Sequence, residues 1–515
     1  MTFTRQNIYG LGSTWAPAVL WYARGVKAMK ARAIADPNSW SFYGAIHGIY
    51  PPLWTKYGYL SPTMPKPKPA DVKRYWDQCQ HGSWYFLPWH RGYLLAFEAN
   101  VRAEIVKLGG PATWALPYWN YFAPNQFKLP PAFATQSWPD GATDNPLFVK
   151  QRYGPNNNGN VFVPVNMVNL NALGDPDFTG VSSGSPGFGG LDTGFSHGGP
   201  THGGIETQPH DYVHGLVGGA NPAAPNTQPG LMSDPDTAAL DPIFWLHHAN
   251  IDRLWAAWRK AGHTDPTDPD WLKGPGNTGG RIFSMPMPGA VAWDYTPQQM
   301  VSLATLGYQY DSLTPAVAPV SPVQPMVRLE ALGAGTAALA GAGGLDDMAS
   351  GKNVELVGAS PKPVAIVGSD ITTAVALDPA TRRKVADNLT ESAALSDGAS
   401  LDRVFLNLEN VRGAADATAF SVYVDLPEGT DPALHPERLA GSIALFGVRK
   451  ASLADDEHGG AGLNYSLEIT QIVDALHLED KLDVDTLGIR FVPTNPVSKS
   501  AKISIGRISI YRQGL

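Results

Sequence analysis

The sequence predicts an α + β multidomain protein: a mainly α-helical first domain over residues 1–312, a Pro, Ala and Gly-rich linker over 313–351, and a β-rich second domain over 352–515. Three observations carry that expectation. Apolar residues recur with helical period in several stretches before residue 262. The run Pro315-Ala316-Val317-Ala318-Pro319-Val320-Ser321-Pro322-Val323-Gln324-Pro325 reads as a linker, followed by Ala and Gly-rich sequence to about Gly351. From Lys352 onward, short alternating runs separated by turn residues replace the helical pattern. At 515 residues with 43% hydrophobic content, the chain can bury more than one core.

Helices are expected at Thr14 to Ala35, Asp71 to Gln78, Trp89 to Leu108, Glu206 to Gly215 and Pro242 to Ala261. Pro88 and Pro242 suit first helical turns, where the missing N–H costs nothing, and Asp241 stands before Pro242 at a helix start. Long Gly, Pro and Asn-rich loops join these helices, a composition that fits a helix bundle holding a metal site between facing helices. Strands are expected at Val354 to Val357, Phe405 to Leu408, Phe420 to Val424, Ser442 to Phe446 and Ile503 to Ile505.

The histidines point to chemistry. Nine of the 13 lie between His47 and His248. His210 and His214 are four apart, so on a helix they share a face and can reach one metal ion. A third histidine follows inside the apolar segment Trp245-Leu246-His247-His248 and can complete three imidazoles around that ion. Upstream, His81 and His90 flank Trp84-Tyr85-Phe86 and repeat the pattern. Imidazole suits several transition metals, and three ligands per ion leave positions open for a bound molecule.

These motifs resemble a known family. His81-x4-Phe86-Leu87-x-Trp89-His90-Arg91-x2-Leu94-x3-Glu98 resembles the first copper signature of tyrosinases, catechol oxidases and molluscan haemocyanins. Asp241-Pro242-x-Phe244-Trp245-x2-His248-x3-Asp252 is similar to the second. The resemblance implies a four-helix bundle around a dicopper site and a C-terminal β-sandwich like that of plant and some bacterial polyphenol oxidases. It assigns copper A to His47, His81 and His90, and copper B to His210, His214 and His248, with His248 rather than His247 as the ligand. Two copper ions would be the cofactor, O2 the co-substrate and small phenols the substrates, oxidised to o-quinones.

Further residues follow from the same resemblance. Cys79, the only cysteine, stands two before His81 and matches the offset at which relatives join cysteine to the histidine ring by a thioether. Glu206 resembles the glutamate that holds a water near copper B, and it is expected one helical turn before His210, on the same face. Asp211 occupies a place where many monophenol-hydroxylating relatives carry Asn. Together, Glu206 and Asp211 are the candidate proton-handling pair. Pro235, thirteen before His248, and Gly215 leave the substrate entrance without a bulky plug. Gly307-Tyr308-Gln309-Tyr310 resembles the motif that closes the catalytic domain, with Arg5 as its partner. Asp252 and Arg253 are expected to orient ligands and tie helices, and Arg91 to pair with Glu98. His197 and His202, in a glycine-rich loop, are assigned no metal role.

In related enzymes the C-terminal domain shields the metal site, sometimes until proteolysis. Latency is therefore expected here, with Leu463, Tyr465 and Phe446 as candidate plugs and higher turnover once the linker is cut. Tyrosinase activity is the first expectation, with catechol oxidase or o-aminophenol oxidase as the nearer alternative and a haemocyanin-like carrier as the more distant one. A single copper pair without internal repeats speaks against transport.

Composition sets outer limits. A net charge of −8 offers no basic face for nucleic acid. No apolar run is long enough to cross a membrane, and the N-terminus lacks the pattern of a signal peptide, so the default expectation is a cytoplasmic protein. The sequence leaves a homo-oligomer open.

Overall fold

The computed structural model describes residues 2–317, 328, 332, 353–394, 401–427, 429–454, 459–479, 481–482 and 484–514. Most of the expected linker therefore lies outside the described residues. The chain divides into two units: Met1–Asn169, Asp192–Gly199 and Pro209–Ala318 form the first, and Leu170–Leu191, Pro200–Gln208 and Pro319–Leu515 form the second.

Helices dominate the first unit. They include α1 (Pro17–Lys30), α2 (Trp40–His47), α3 (Phe86–Lys107), α4 (Tyr212–Gly218) and α5 (Pro242–Lys260). α2, short and interrupted in composition by Gly44, is not among the helices read from sequence. Ser39 caps it by accepting from the Phe42 N–H at 3.1 Å. Asp241 caps α5 by accepting from the Ile243 N–H at 2.9 Å, and Pro242 fills the first helical position.

Aromatic packing fixes α2, α3 and α5 against one another. Phe97 of α3 stacks on Trp245 of α5 with ring centroids 3.5 Å apart, and Trp40 of α2 meets both rings edge-on. All three side chains are buried. Large rings of this kind contribute both apolar burial and directional packing.

The expected helix Glu206 to Gly215 is not continuous. A π-type turn spans Glu206–Asp211, and Gln208 leaves helical geometry at φ −140° and ψ 123°. Pro209 explains the break, since its ring pushes the preceding residue to extended backbone and it has no N–H to donate. Regular helix resumes at Tyr212. The same-face argument for Glu206 and His210 therefore fails as a statement about helix geometry.

Behind α4 the chain returns through Leu231–Ser233 at very short range. A Cβ on Gly230 would sit 2.1 Å from the Gly218 carbonyl oxygen, so only glycine permits the crossing. The same approach brings the Met232 carbonyl within 2.8 Å of His214 Nδ1.

The two ends of this unit meet in a small parallel sheet, Phe3–Arg5 with Tyr308–Tyr310. Arg5 donates to Glu98 at 2.8 Å, to Tyr310 at 2.9 Å and to Asp252 at 3.1 Å. Asp252 also accepts from Arg91 at 2.5 Å, Tyr308 at 2.6 Å and Tyr310 at 2.5 Å. Arg91 is thus partnered by Asp252 and not by Glu98, which takes Arg5 and Arg102 instead. Helix spacing proposes near neighbours on one helix, whereas the buried guanidinium goes to the carboxylate that a second helix presents.

The second unit is built on one antiparallel nine-stranded sheet. Its main strands are β1 (Asn353–Ala359), β2 (Ile371–Leu377), β3 (Arg403–Arg412), β4 (Ala419–Val424), β5 (Leu439–Ala444), β6 (Leu463–Glu468), β7 (Thr486–Pro493) and β8 (Ser504–Gly514). Their order is β5-β4-β7-β2-β1-β8-β3-β6, and the short strand Val364–Ala365 pairs with β8. The edge strands approach each other, because the Tyr465 hydroxyl of β6 donates to the Ala444 carbonyl of β5 at 2.9 Å. Alternating inward residues such as Leu406, Leu408, Val422 and Ile489 fill the core, with helix Thr470–Leu478 packed on it. Of the candidate plugs, Leu463 and Tyr465 belong to this core and Phe446 is buried.

Candidate metal centre

Two histidine groups form in the first unit. The ligand atoms of His47, Cys79, His81 and His90 all lie within 4.8 Å of one another, and so do those of His210, His214, His247 and His248. Every one of these residues is buried. The groups face each other: His90 stacks on His248 with centroids 4.5 Å apart, and His81 lies 5.7 Å from His210.

Each element delivers its ligand for a local reason. His47 ends α2, where the chain turns into extended backbone at Gly48. His81 sits in a loop pinned by its own N–H to the Ser196 carbonyl. His90 lies in the second turn of α3, His214 in the first turn of α4 and His248 within α5. Backbone carbonyls then orient the rings. His47 Nδ1 donates to Pro235 at 2.7 Å, His90 Nδ1 to Phe86 at 2.8 Å and His214 Nδ1 to Met232 at 2.8 Å. A carbonyl only accepts, so the proton in each ring is on Nδ1 and Nε2 keeps its lone pair.

Those lone pairs test the fit to metal. His214 Nε2 carries its lone pair toward His248 Nε2 at 3.2 Å. Nitrogens this close share either a proton, when His248 carries it on Nε2, or a cation within reach of both, and three neutral imidazoles with open positions beside them are a donor set that suits copper. The protein also keeps the rings neutral. Burial pushes His90, His210, His214 and His248 well below the usual imidazole value, and neighbouring imidazoles push them further. Burial lowers His247 to about 3.

The remaining sequence candidates have definite places. Asp211 accepts from His210 Nδ1 at 2.8 Å, so this carboxylate holds a ring. Glu206 opens the π-type turn, fully buried, with His202 Nδ1 at 3.7 Å. Pro235 is buried, and its carbonyl is the one that orients His47. Gly215 is buried in α4 and its carbonyl takes the Ser233 hydroxyl at 3.2 Å. His197 Nδ1 donates to the Cys79 carbonyl at 2.9 Å. His247 is the residue that sequence reasoning set aside and the structure brings close: it stacks 5.5 Å from His210 and lies 5.8 Å from Tyr121. Its adjacency to His248 is the only signal that sequence offered. The orienting carbonyls of Met232 and Pro235 carried no signal, because any residue type supplies a carbonyl.

Cys79 Sγ lies 3.4 Å from both His81 Nδ1 and His81 Nε2. Equal distances place the sulfur on the plane that bisects the ring through Cε1.

Two facing groups of buried imidazoles, carried by helices, a π-type turn and a loop, are a donor set that would suit two metal ions side by side. Comparison with known proteins identifies the kind of protein. The family described as the common central domain of tyrosinase matches residues 37–261, and a domain of unknown function, DUF7868, matches residues 353–513. Tyrosinase HcTyr1 from Hahella sp. (strain CCB-MM4) is 33% identical over 532 aligned positions, covering 99% of both chains. A chloroplastic polyphenol oxidase from Malus domestica is 30% identical over 49% of this chain and 40% of its own length. Among solved structures, latent apple tyrosinase covers 99% of this chain and 97% of its own with a TM-score of 0.57 at 22% identity. Latent aurone synthase covers 100% and 90% with a TM-score of 0.59 at 19% identity. These structures share the fold, a helical core with a C-terminal β-rich part. The chain belongs to the tyrosinase and polyphenol oxidase family, and is an oxidase by that membership.

Proposed function

We propose that this protein is a tyrosinase that ortho-hydroxylates small monophenols with O2 and oxidises o-diphenols to o-quinones. The observation that carries the reading is the pair of facing, buried imidazole groups, in which His47, His90 and His214 keep their Nε2 lone pairs. His47, His81 and His90 would hold one copper and His210, His214 and His248 the other. Four helices, the π-type turn at His210 and the loop at His81 would then form the ligand cradle, in the manner of a bundle. Bound there, the two ions supply two-electron exchange with dioxygen. The chain contributes orientation, exclusion of water and proton handling. Asp211 is committed to His210 and acts as a positioning residue. Glu206 is the carboxylate we assign to take the phenolic proton through a water, the step that distinguishes a monophenol from a catechol. A glutamine there keeps shape and loses the base. In E206Q, oxygen uptake with tyramine should fall by about 10²-fold or more while uptake with the matching catechol changes by less than about tenfold. Equal tyramine rates in E206Q and wild type would remove Glu206 from this role.

Oxygen uptake by copper-loaded protein separates the reading from its alternatives. Uptake with tyramine and with catechol supports a tyrosinase. Uptake with catechol alone identifies a catechol oxidase, and reversible binding without turnover a carrier. Several structural relatives carry the word latent in their names, and we propose the same property for this chain, with the C-terminal part restraining turnover.

Cys79 has a second expected fate. We assign it a thioether to His81 Cε1: the S–H and C–H bonds would give way to one S–C bond, and dioxygen would take up the two protons and two electrons as hydrogen peroxide, an oxidation that bound copper would promote. The bond would fix a ligand that no regular element holds. A tryptic peptide containing Cys79 and His81 from copper-loaded protein should then be lighter by two hydrogens and resist thiol alkylation. An alkylatable Cys79 at full mass in copper-loaded protein argues for a free thiol.

A further inference from the structure

The β-rich unit is not made from the C-terminal residues alone. Leu170–Leu191 and Pro200–Gln208, from the same half of the chain that supplies the histidines, are integral to it. The first of these segments is organised on its own account: Gly180 N–H donates to Gly190 at 3.1 Å, Val181 to Ser185 at 2.8 Å and Gly189 to Phe178 at 2.8 Å. It presents this preformed loop to one face of the sheet.

The seam between loop and sheet is polar and directional. Arg403 of β3, buried, donates to Asp175 at 3.3 Å and to Glu468 at 2.8 Å. Asn407 donates to the Ser183 carbonyl at 3.0 Å, Ser466 to the Gly184 carbonyl at 2.8 Å, and Ser185 N–H to Gln513 at 2.8 Å. A Cβ on Gly184 would lie 2.3 Å from Gln513 Oε1, which shows how closely the loop seats. The second segment adds its own bonds. Asn464 N–H donates to the Pro200 carbonyl at 2.6 Å, Asn464 Nδ2 to Thr201 at 3.3 Å, and Gln208 to the Ser442 carbonyl at 2.6 Å. Buried charge pairs and backbone acceptors of this kind discriminate strongly between a seated and an unseated partner. On the linker side, Arg328 donates to Asp474 at 2.5 and 2.7 Å and to the Asp402 carbonyl at 2.7 Å, so a cut before Arg328 leaves that anchor with the C-terminal fragment.

We propose that the C-terminal fragment stays bound after the linker is cut, held by Leu170–Leu191 and Pro200–Gln208 as an intramolecular partner of its sheet. Cleavage and release are then separate events. The claim concerns chain association and stands whichever phenol is oxidised. One consequence does rest on the latency reading: a nicked chain keeps its low turnover, and turnover rises on separation.

The test uses the full copper-loaded chain with a specific protease site placed between residues 318 and 327. After complete cleavage, size-exclusion chromatography at micromolar concentration should show both fragments in one peak. In D175A/S466A, which removes two seam bonds while Arg403 keeps Glu468, the cut fragments should separate at a concentration at least about tenfold higher than wild type requires. Wild-type fragments that part on cleavage overturn the proposal, and this arm decides the matter even if the variant does not fold. Cut D175A/S466A that dissociates like wild type removes the seam as the holder.

Discussion

Replacing His248 with alanine is expected to lower the copper content from two ions per chain toward one and to abolish oxygen uptake with every phenol. The ring sits between the two groups, stacked on His90 and facing His214 Nε2 at 3.2 Å, so its loss opens one triad and the wall of the other. Loss of an orienting partner outside the ligand set commonly costs 10–100-fold in affinity or activity, and a ligand should cost more than that upper figure. Metal analysis together with an oxygen electrode measures both effects. His247→Ala is the control: it removes a buried imidazole of equal size, and it should leave two ions bound. Two coppers in H248A and one in H247A would exchange the two assignments.

The second large effect is structural. Asp252 neutralises Arg5 and Arg91 and takes two tyrosine hydroxyls, tying the first strand, α3, α5 and the closing strand into one knot. Burial pushes its carboxyl up, but Arg91, Arg5 and the hydroxyls outweigh that and hold it below its ordinary value. Asp252→Asn leaves buried Arg91 without a counter-charge, while Arg5 keeps Glu98, a loss of about 3–5 kcal/mol, which should lower Tm by roughly 6–20 °C. The pH dependence has a definite sign. Because the folded carboxyl is the stronger acid, its contribution is complete above the unfolded value near pH 4 and is lost as pH falls through the folded value. D252N should lose that acid limb. Metal-free protein should show a second one at higher pH: below about pH 6.5 the unfolded chain binds protons at imidazoles that His90, His210, His214 and His248 refuse in the fold. Thermal melts of apo wild type and apo D252N from pH 3 to 8 read both.

How much of this was legible depended on distance along the chain. The spacing of His210 and His214, and the long motifs around His90 and His248, are local, and their ring nitrogens do lie together. Arg5 and the tyrosines at 308 and 310 could be associated only through resemblance, since no periodicity links residues 305 apart. The helix through Glu206 was misread because the four-residue spacing of Glu206, His210 and His214 continues across Pro209, while the backbone cannot. Strand β2, Ile371–Leu377, escaped notice because its Thr and Ala residues alternate weakly in hydrophobicity. Membership of Leu170–Leu191 in the β-rich unit was beyond sequence reading altogether. It rests on side chains that meet carbonyls more than two hundred residues away, and a carbonyl leaves no trace in the alphabet.

That last feature sets an order of events during synthesis. Thr201 and Asn464 are 263 residues apart, so the segment leading into Pro209 and His210 emerges long before the strand that fastens it. At a translation rate of about 5–20 residues per second the interval is roughly 13–50 s. Once Lys260 has emerged the histidine helices are complete in sequence, while Pro200–Gln208 still waits for Ser442 of β5 and Asn464 of β6. A metallochaperone or free copper acting in that interval meets a chain whose last fastening has not yet been made.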